Sequence, residues 1–207
     1  MTPALPSRLP SIQPSSLPAF HALFLALIAL LLTACGAYQF NGTAYPDPGA
    51  APDFELTAAA GTPFHLSGQR GQIVLLFFGY TSCPDVCPTT LAEANQLLRG
   101  LGDDAGRVTY AFITVDPQRD TPEVLAGYTA AFHPAILGLT SAPDQLAGVR
   151  QAYGVSAEEV MHASTGGHSL AHTARLFLVD AQGRLRLSYA ASTPAQDILQ
   201  DIRHLLG

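Results

Sequence analysis

The 207-residue sequence predicts an α/β fold on three observations. Two continuous apolar, β-branched and aromatic runs read as core strands, segments with helical periodicity separate the strands, and a hairpin signal precedes a last amphipathic helix. The first run is IVLLFF, Ile73 to Phe78. After the turn Gly79-Tyr80-Thr81-Ser82, the residues Leu91, Ala94, Leu98 and Leu101 recur at helical spacing until Gly102 stops them. VTYAFITV, Val108 to Val115, is the second core strand. Pro122 to Phe132 reads as a helix, and Pro143 to Tyr153 as another begun by Thr140-Ser141. Arg175 to Val179 and Leu185 to Tyr189 flank the turn Asp180-Ala181-Gln182-Gly183, and Thr193-Pro194 caps a helix carrying Ile198, Ile202 and Leu205. Strand, helix, strand, helix, hairpin, helix is the thioredoxin order, with extra elements inserted before the hairpin. No internal repeat is present.

The N-terminal region has the layout of an export signal. A Pro/Ser-rich stretch bearing Arg8 leads into ALFLALIALLL, Ala22 to Leu32, and small residues follow. The block is short for a membrane span, which needs about 20 apolar residues, and His21 interrupts it. Leu32-Thr33-Ala34-Cys35 resembles a bacterial lipobox, in which the cysteine becomes the acylated first residue. The expected organisation is therefore a lipoprotein-type signal over 1–34, an acylated Cys35 with a flexible tether over 35–52, and one domain over 53–207. That places the domain in the cell envelope, on the extracytoplasmic side of a membrane it reaches through lipid. About 170 residues remain after cleavage, enough for one domain with a real core.

The chain carries 16 acids against 10 basic residues, all of them arginine, and becomes one unit more negative when Arg8 leaves with the signal. An acidic domain without a basic patch has no electrostatic footprint for nucleic acid, so DNA and RNA are excluded as partners.

With Cys35 assigned to lipid, Cys83 and Cys87 form an isolated CxxxC pair. In an oxidising compartment such a pair is a disulfide, a redox couple or a metal site. It lies where a buried strand turns into a helix, and unsatisfied amides at a helix N-terminus stabilise thiolate. With the helix starting near Pro84, the two sulfurs converge on one side of its first turn. Two soft thiolates suit Cu(I), although the spacing alone serves zinc and plain disulfides as well.

The surrounding words narrow the choice. YTSCPDVCPTTL (Tyr80 to Leu91), VDPQRDTPEVLAGY (Val115 to Tyr128), GLT (Gly138 to Thr140) and HTARLFLVDAQGRL (His172 to Leu185) stand in the order and approximate spacing of the Sco/SenC family of cytochrome oxidase assembly factors. The resemblance runs from about Asp53 to the C-terminus. It implies that Cys83 and Cys87 are copper-binding thiolates that also pass between dithiol and disulfide. It implies a third ligand at His172, which is followed by Thr173 as the family pattern requires. Cu(I) is the implied cargo, with Cu(II) binding a further family trait. Asp116 matches an acidic position near the site, with a supporting role. The implied recipient is the CuA centre in subunit II of cytochrome c oxidase, whose cysteines must be reduced before metal enters. An upstream copper donor or thiol reductant is implied as a further partner.

Of the other histidines, His168 lies four residues before His172 but lacks the following Thr and the close-following strand, so His172 is preferred. Met161 and His162 offer an accessory copper site, against the simpler reading of a solvated loop. His65, His133 and His204 read as surface or locally hydrogen-bonded. One departure stands out: many family members have Asp immediately before the ligand histidine, where this chain has Ala171. A weaker or redirected docking of a partner follows from that loss of rim charge.

Three rival functions are weighed against copper delivery. A pure thiol-disulfide reductase would show CxxC and a cis-proline where His172 stands. A peroxiredoxin is suggested by Val86-Cys87-Pro88-Thr89, but Pro84 occupies the place of its required Thr or Ser. An inert structural disulfide would leave His172 and VDPQRDTP without a purpose.

Overall fold

The two apolar runs form the middle of one sheet, because only a strand covered on both faces can hide side chains that do not alternate with polar ones. The computed structural model describes residues 38–161 and 168–207. The runs become β4 (Ile73–Gly79), whose seven residues are all buried, and β5 (Val108–Thr114), which pairs with it in parallel from Ile73↔Val108 to Gly79↔Thr114. Each fully buried Leu, Ile or Phe side chain contributes about 1.5–3 kcal/mol, so these two strands hold much of the core.

The neighbours extend the sheet both ways. β6 (Ile136–Thr140) joins β5 in parallel, and β2 (Glu55–Ala58) and β3 (Pro63–His65) continue it antiparallel. On the other side β9 (Arg175–Val179) runs antiparallel to β4, followed by β10 (Leu185–Ala190) and the short β1 (Thr43–Ala44). The resulting order is β1-β10-β9-β4-β5-β6-β2-β3. The turn between β9 and β10 is the expected one: Asp180 Oδ1 accepts from the amides of Gln182 and Arg184, and Gly183 takes φ +77°.

Four helices pack with the sheet: α1 (Val86–Leu101), α2 (Pro122–Phe132), α3 (Pro143–Ala152) and α4 (Ala195–Leu206). α2 starts at Pro122, as read from the sequence, and the structure adds a cap, the Thr121 hydroxyl accepting from Val124 N–H. α4 uses a cap from outside its own sequence: Glu93 of α1 accepts from Ala195 N–H at 2.8 Å, which ties the two helices together. α3 and an antiparallel ribbon of β7 (Ala157–Met161) and β8 (His168–His172) are the additions before the hairpin. The architecture is thioredoxin-like, as the element order predicts.

Two readings of the sequence change. The tether expected to run to Pro52 is incorporated in the domain from residue 40 onward: Thr43 and Ala44 pair with Ser188 and Leu187, Ala50 bridges to Arg184, and Ala51 N–H donates to Gly183. Asp201 anchors its start by accepting from Asn41 N–H, Asn41 Nδ2 and Gly42 N–H. The segment read as an inserted loop contains the paired strands β7 and β8. The export signal, Cys35 and His162 lie outside the described residues. Among those described, no helix is long and apolar enough to cross a membrane.

Candidate metal centre

β4 ends at Gly79, and the chain must reverse before α1 begins. The Cys83 N–H closes the turn on the Tyr80 carbonyl at 3.2 Å. Thr81 pins the turn from the side, its N–H and hydroxyl both donating to the buried carboxylate of Asp120, at 3.1 Å and 2.6 Å to Oδ2 and Oδ1. Thr114 at the end of β5 donates its hydroxyl to Oδ2 of the same group at 2.6 Å. Three donors on one carboxylate lock the cysteine loop to the β5–α2 loop.

α1 begins at Val86 rather than near Pro84, so Cys83 precedes the helix and Cys87 sits inside its first turn. Asp85 is the N-cap by position, but its side chain makes no capping hydrogen bond. The Cys83 sulfur takes that place. Burial pushes the Cys83 thiol up, and the N–H groups of Asp85, Cys87 and Val86 with the Cys87 side chain outweigh it, leaving the pKa below the ordinary thiol value. Cys87 is the opposite case: its side chain is fully buried, and burial drives its pKa far above the ordinary value against a hydrogen bond from the Tyr80 backbone. A Cβ on residue 79 would stand 2.8 Å from the Cys87 sulfur, so glycine there is what admits the sulfur against β4. The two cysteines are free thiols.

His172 arrives from the other end of the sequence, as the last residue of β8, where it pairs with Ala157. The ribbon is closed behind it by Thr173 N–H on the Ser156 carbonyl, 3.0 Å, and Ser156 N–H on the Thr173 hydroxyl, 3.1 Å. Its ring stands edge-on to Tyr80 (centroids 5.6 Å) and Phe77 (6.4 Å). Burial lowers its pKa, with the Thr173 carbonyl opposing, so the imidazole is held neutral. Nδ1 faces that carbonyl at 3.4 Å; with the proton assigned there, Nε2 turns its lone pair to the Cys87 sulfur, 3.6 Å away.

The Sγ atoms of Cys83 and Cys87 and a ring nitrogen of His172 lie within 4.8 Å of one another, the sole such cluster of three among the described residues. Two thiolates and one neutral imidazole form a soft, three-donor set of the kind that suits Cu(I). All three residues singled out in the sequence therefore meet.

Asp116 is not one of the converging ligands. It is buried in the β5–α2 loop, its N–H donates to the Thr114 hydroxyl, and its carboxylate pairs with Arg119 at 3.3 Å. The acid that reaches the cysteine loop is Asp120, four residues on in the same VDPQRD segment. Sequence reasoning missed it, along with Tyr80; two acids at i and i+4 beside a motif were the available signal. The remaining histidines match their bland readings: His65 pairs with Glu55 at 3.7 Å, His133 Nδ1 accepts from Ala135 N–H, and His204 packs edge-on to Phe40. In β8, His168 stands opposite Met161 in register.

Known proteins share both the sequence and this architecture. The SCO1/SenC family model matches residues 43–207. An SCO2-like protein of Rickettsia felis is 36% identical over 151 residues, covering 70% of this chain and 71% of that protein. The solution structure of apo Sco1 from Thermus thermophilus aligns with TM-score 0.73 and 38% identity over 82% of this chain and 99% of its own. Bradyrhizobium japonicum ScoI, solved with copper bound, aligns with TM-score 0.69 and 36% identity over 76% of this chain and 99% of its own. A family match over most of the chain, on the fold and around the cysteine pair described above, means that this protein belongs to the SCO1/SenC family.

Proposed function

We propose that this protein is a copper-handling assembly factor that loads the CuA site in subunit II of cytochrome c oxidase, holding copper on Cys83, Cys87 and His172. The observation that carries the reading is the convergence of those three ligand atoms from segments 85 residues apart. The copper-bound ScoI relative supports the metal, and family membership supports the oxidase.

The residues divide the work. Cys83, partly exposed and with its pKa lowered by the helix-start amides, is the thiol more readily ionised and the one that incoming copper meets first. Cys87 gives up its proton as metal binds, since a coordinated thiol is deprotonated. His172, already neutral, completes the set without a proton to lose. Cu(I) held by exchangeable ligands at an open face passes to a recipient's thiolates by ligand exchange, never free in water. Anchoring through lipid on Cys35 keeps the domain near a membrane-bound recipient on the extracytoplasmic side, and an upstream donor or reductant resets the site.

The asymmetry of the two thiols favours a second reading, reduction of the subunit II cysteines. Cys83 thiolate would attack a recipient disulfide, forming a mixed disulfide and releasing one recipient thiolate. Cys87, losing its proton, would then displace the second, so two electrons leave the Cys83–Cys87 pair as it becomes a disulfide. Cells lacking the protein distinguish the two. Copper delivery predicts that His172→Ala fails to restore oxidase activity; reduction predicts that it restores activity while Cys83→Ser does not.

A further inference from the structure

Tyr80 touches every member of the candidate metal centre, and neither the cysteine motif nor the histidine motif accounts for its hydroxyl. Its carbonyl accepts from Cys83 N–H at 3.2 Å, and its backbone hydrogen-bonds the Cys87 sulfur. Its ring meets the His172 imidazole edge-on, centroids 5.6 Å apart at 82°. Its hydroxyl, on a side chain only 2% exposed, accepts from Leu170 N–H at 3.2 Å.

A phenol can accept one hydrogen bond and donate another at once. Leu170 N–H donates here, two residues before His172 in β8. The ribbon that carries His172 is thus joined through one oxygen atom to the turn that leads to Cys83. Phenylalanine would fill the same space and supply the same ring edge, but it would leave the Leu170 amide without this partner.

We infer that Tyr80 is a positioning residue for copper, its hydroxyl fixing β8, and with it His172, against the cysteine loop. The inference rests on the copper reading given above. Groups that orient metal ligands from behind typically contribute about 10–100-fold in affinity.

The test uses Tyr80→Phe in the reduced, full-length protein with copper alone as the probe. Competition titration is expected to show Cu(I) affinity reduced about tenfold, with the thermal midpoint of the apo protein nearly unchanged. In the Cu(II) form, the thiolate-to-copper charge-transfer band is expected to shift, because His172 is no longer held in place against the two sulfurs. Unchanged affinity and an unmoved band would overturn the assignment. So would an affinity loss that merely follows a loss of folded protein with the band in place, which is what a purely structural role produces. His172→Ala in the same titration separates the two levels: if it leaves affinity intact, the copper reading of His172 fails on its own account.

Discussion

The Sγ of Cys87 and the Nε2 of His172 lie 3.6 Å apart, joined across 85 residues by the close of a small ribbon against the start of a helix. Cys83 belongs to a loop locked by Asp120, Cys87 to the first turn of α1, and the histidine to a ribbon outside the main sheet. That division of the ligands between two supports shapes what each substitution does.

Removing the histidine leaves a dithiol on an intact scaffold. His172→Ala is expected to lower Cu(I) affinity by about 100-fold or more, since a direct ligand counts for at least as much as the groups behind it. The apo protein should keep its fold, because the imidazole is only partly buried at the ribbon's base. Competition titration and thermal denaturation of the same sample check both halves.

The pH dependence follows from which groups carry protons before metal arrives. Cys87 is a thiol throughout the neutral range, so binding must displace its proton, and apparent affinity should rise with pH by about tenfold per unit for that one proton. Proton release measured in buffers of different ionisation enthalpy reports it directly. His172 has the opposite sign of consequence. Its folded pKa lies below the unfolded 6.5, so the unfolded chain takes up the proton first and folded stability falls as pH drops below that value. Denaturant titrations of wild type and His172→Ala across that window should differ in slope.

Gly79 gives a steric prediction. A methyl group there would come within 2.8 Å of both the Cys87 sulfur and the Phe112 ring. Gly79→Ala should destabilise the apo protein by about 1–3 kcal/mol, the usual range for overpacking, and weaken copper binding by moving the sulfur. Chemical denaturation gives the first number and copper titration the second.

Asp120 gives an electrostatic one. Asp120→Ala leaves Thr81 N–H, the Thr81 hydroxyl and the buried Thr114 hydroxyl without their shared acceptor, and an unmade buried hydrogen bond costs about 1–3 kcal/mol. Burial is the main reason Cys87 resists ionisation, with the Cys83 side chain next and the Asp120 charge adding to it. Without that charge the Cys87 thiol should become more acidic, which the pH dependence of alkylation of the reduced protein would show.

Much of this was legible in the sequence where the signal was local. Continuous apolar runs gave β4 and β5, Pro122 gave the start of α2, and Asp180 to Gly183 gave the hairpin turn. What escaped depends on partners far away. Thr43-Ala44 has no strand pattern of its own and becomes β1 only because β10 offers an edge. Asn41 is fixed by Asp201, 160 positions on, which no composition of a Gly/Ala/Pro-rich segment reveals. β6, ILGLT, is short and was readable only as part of a family word, while β7 and β8 stabilise each other outside the sheet. The ligands were legible because the motifs carry them. The means of holding them, Asp120 and the Tyr80 hydroxyl, became visible only in three dimensions.

X-ray absorption spectroscopy of the reduced protein loaded with one equivalent of Cu(I) tests the central claim most directly. Cys83, Cys87 and His172 as ligands predict a first shell of two sulfurs and one imidazole nitrogen, with the nitrogen lost in His172→Ala. A shell with fewer than two sulfurs, or one in which His172→Ala leaves the nitrogen in place, would contradict it.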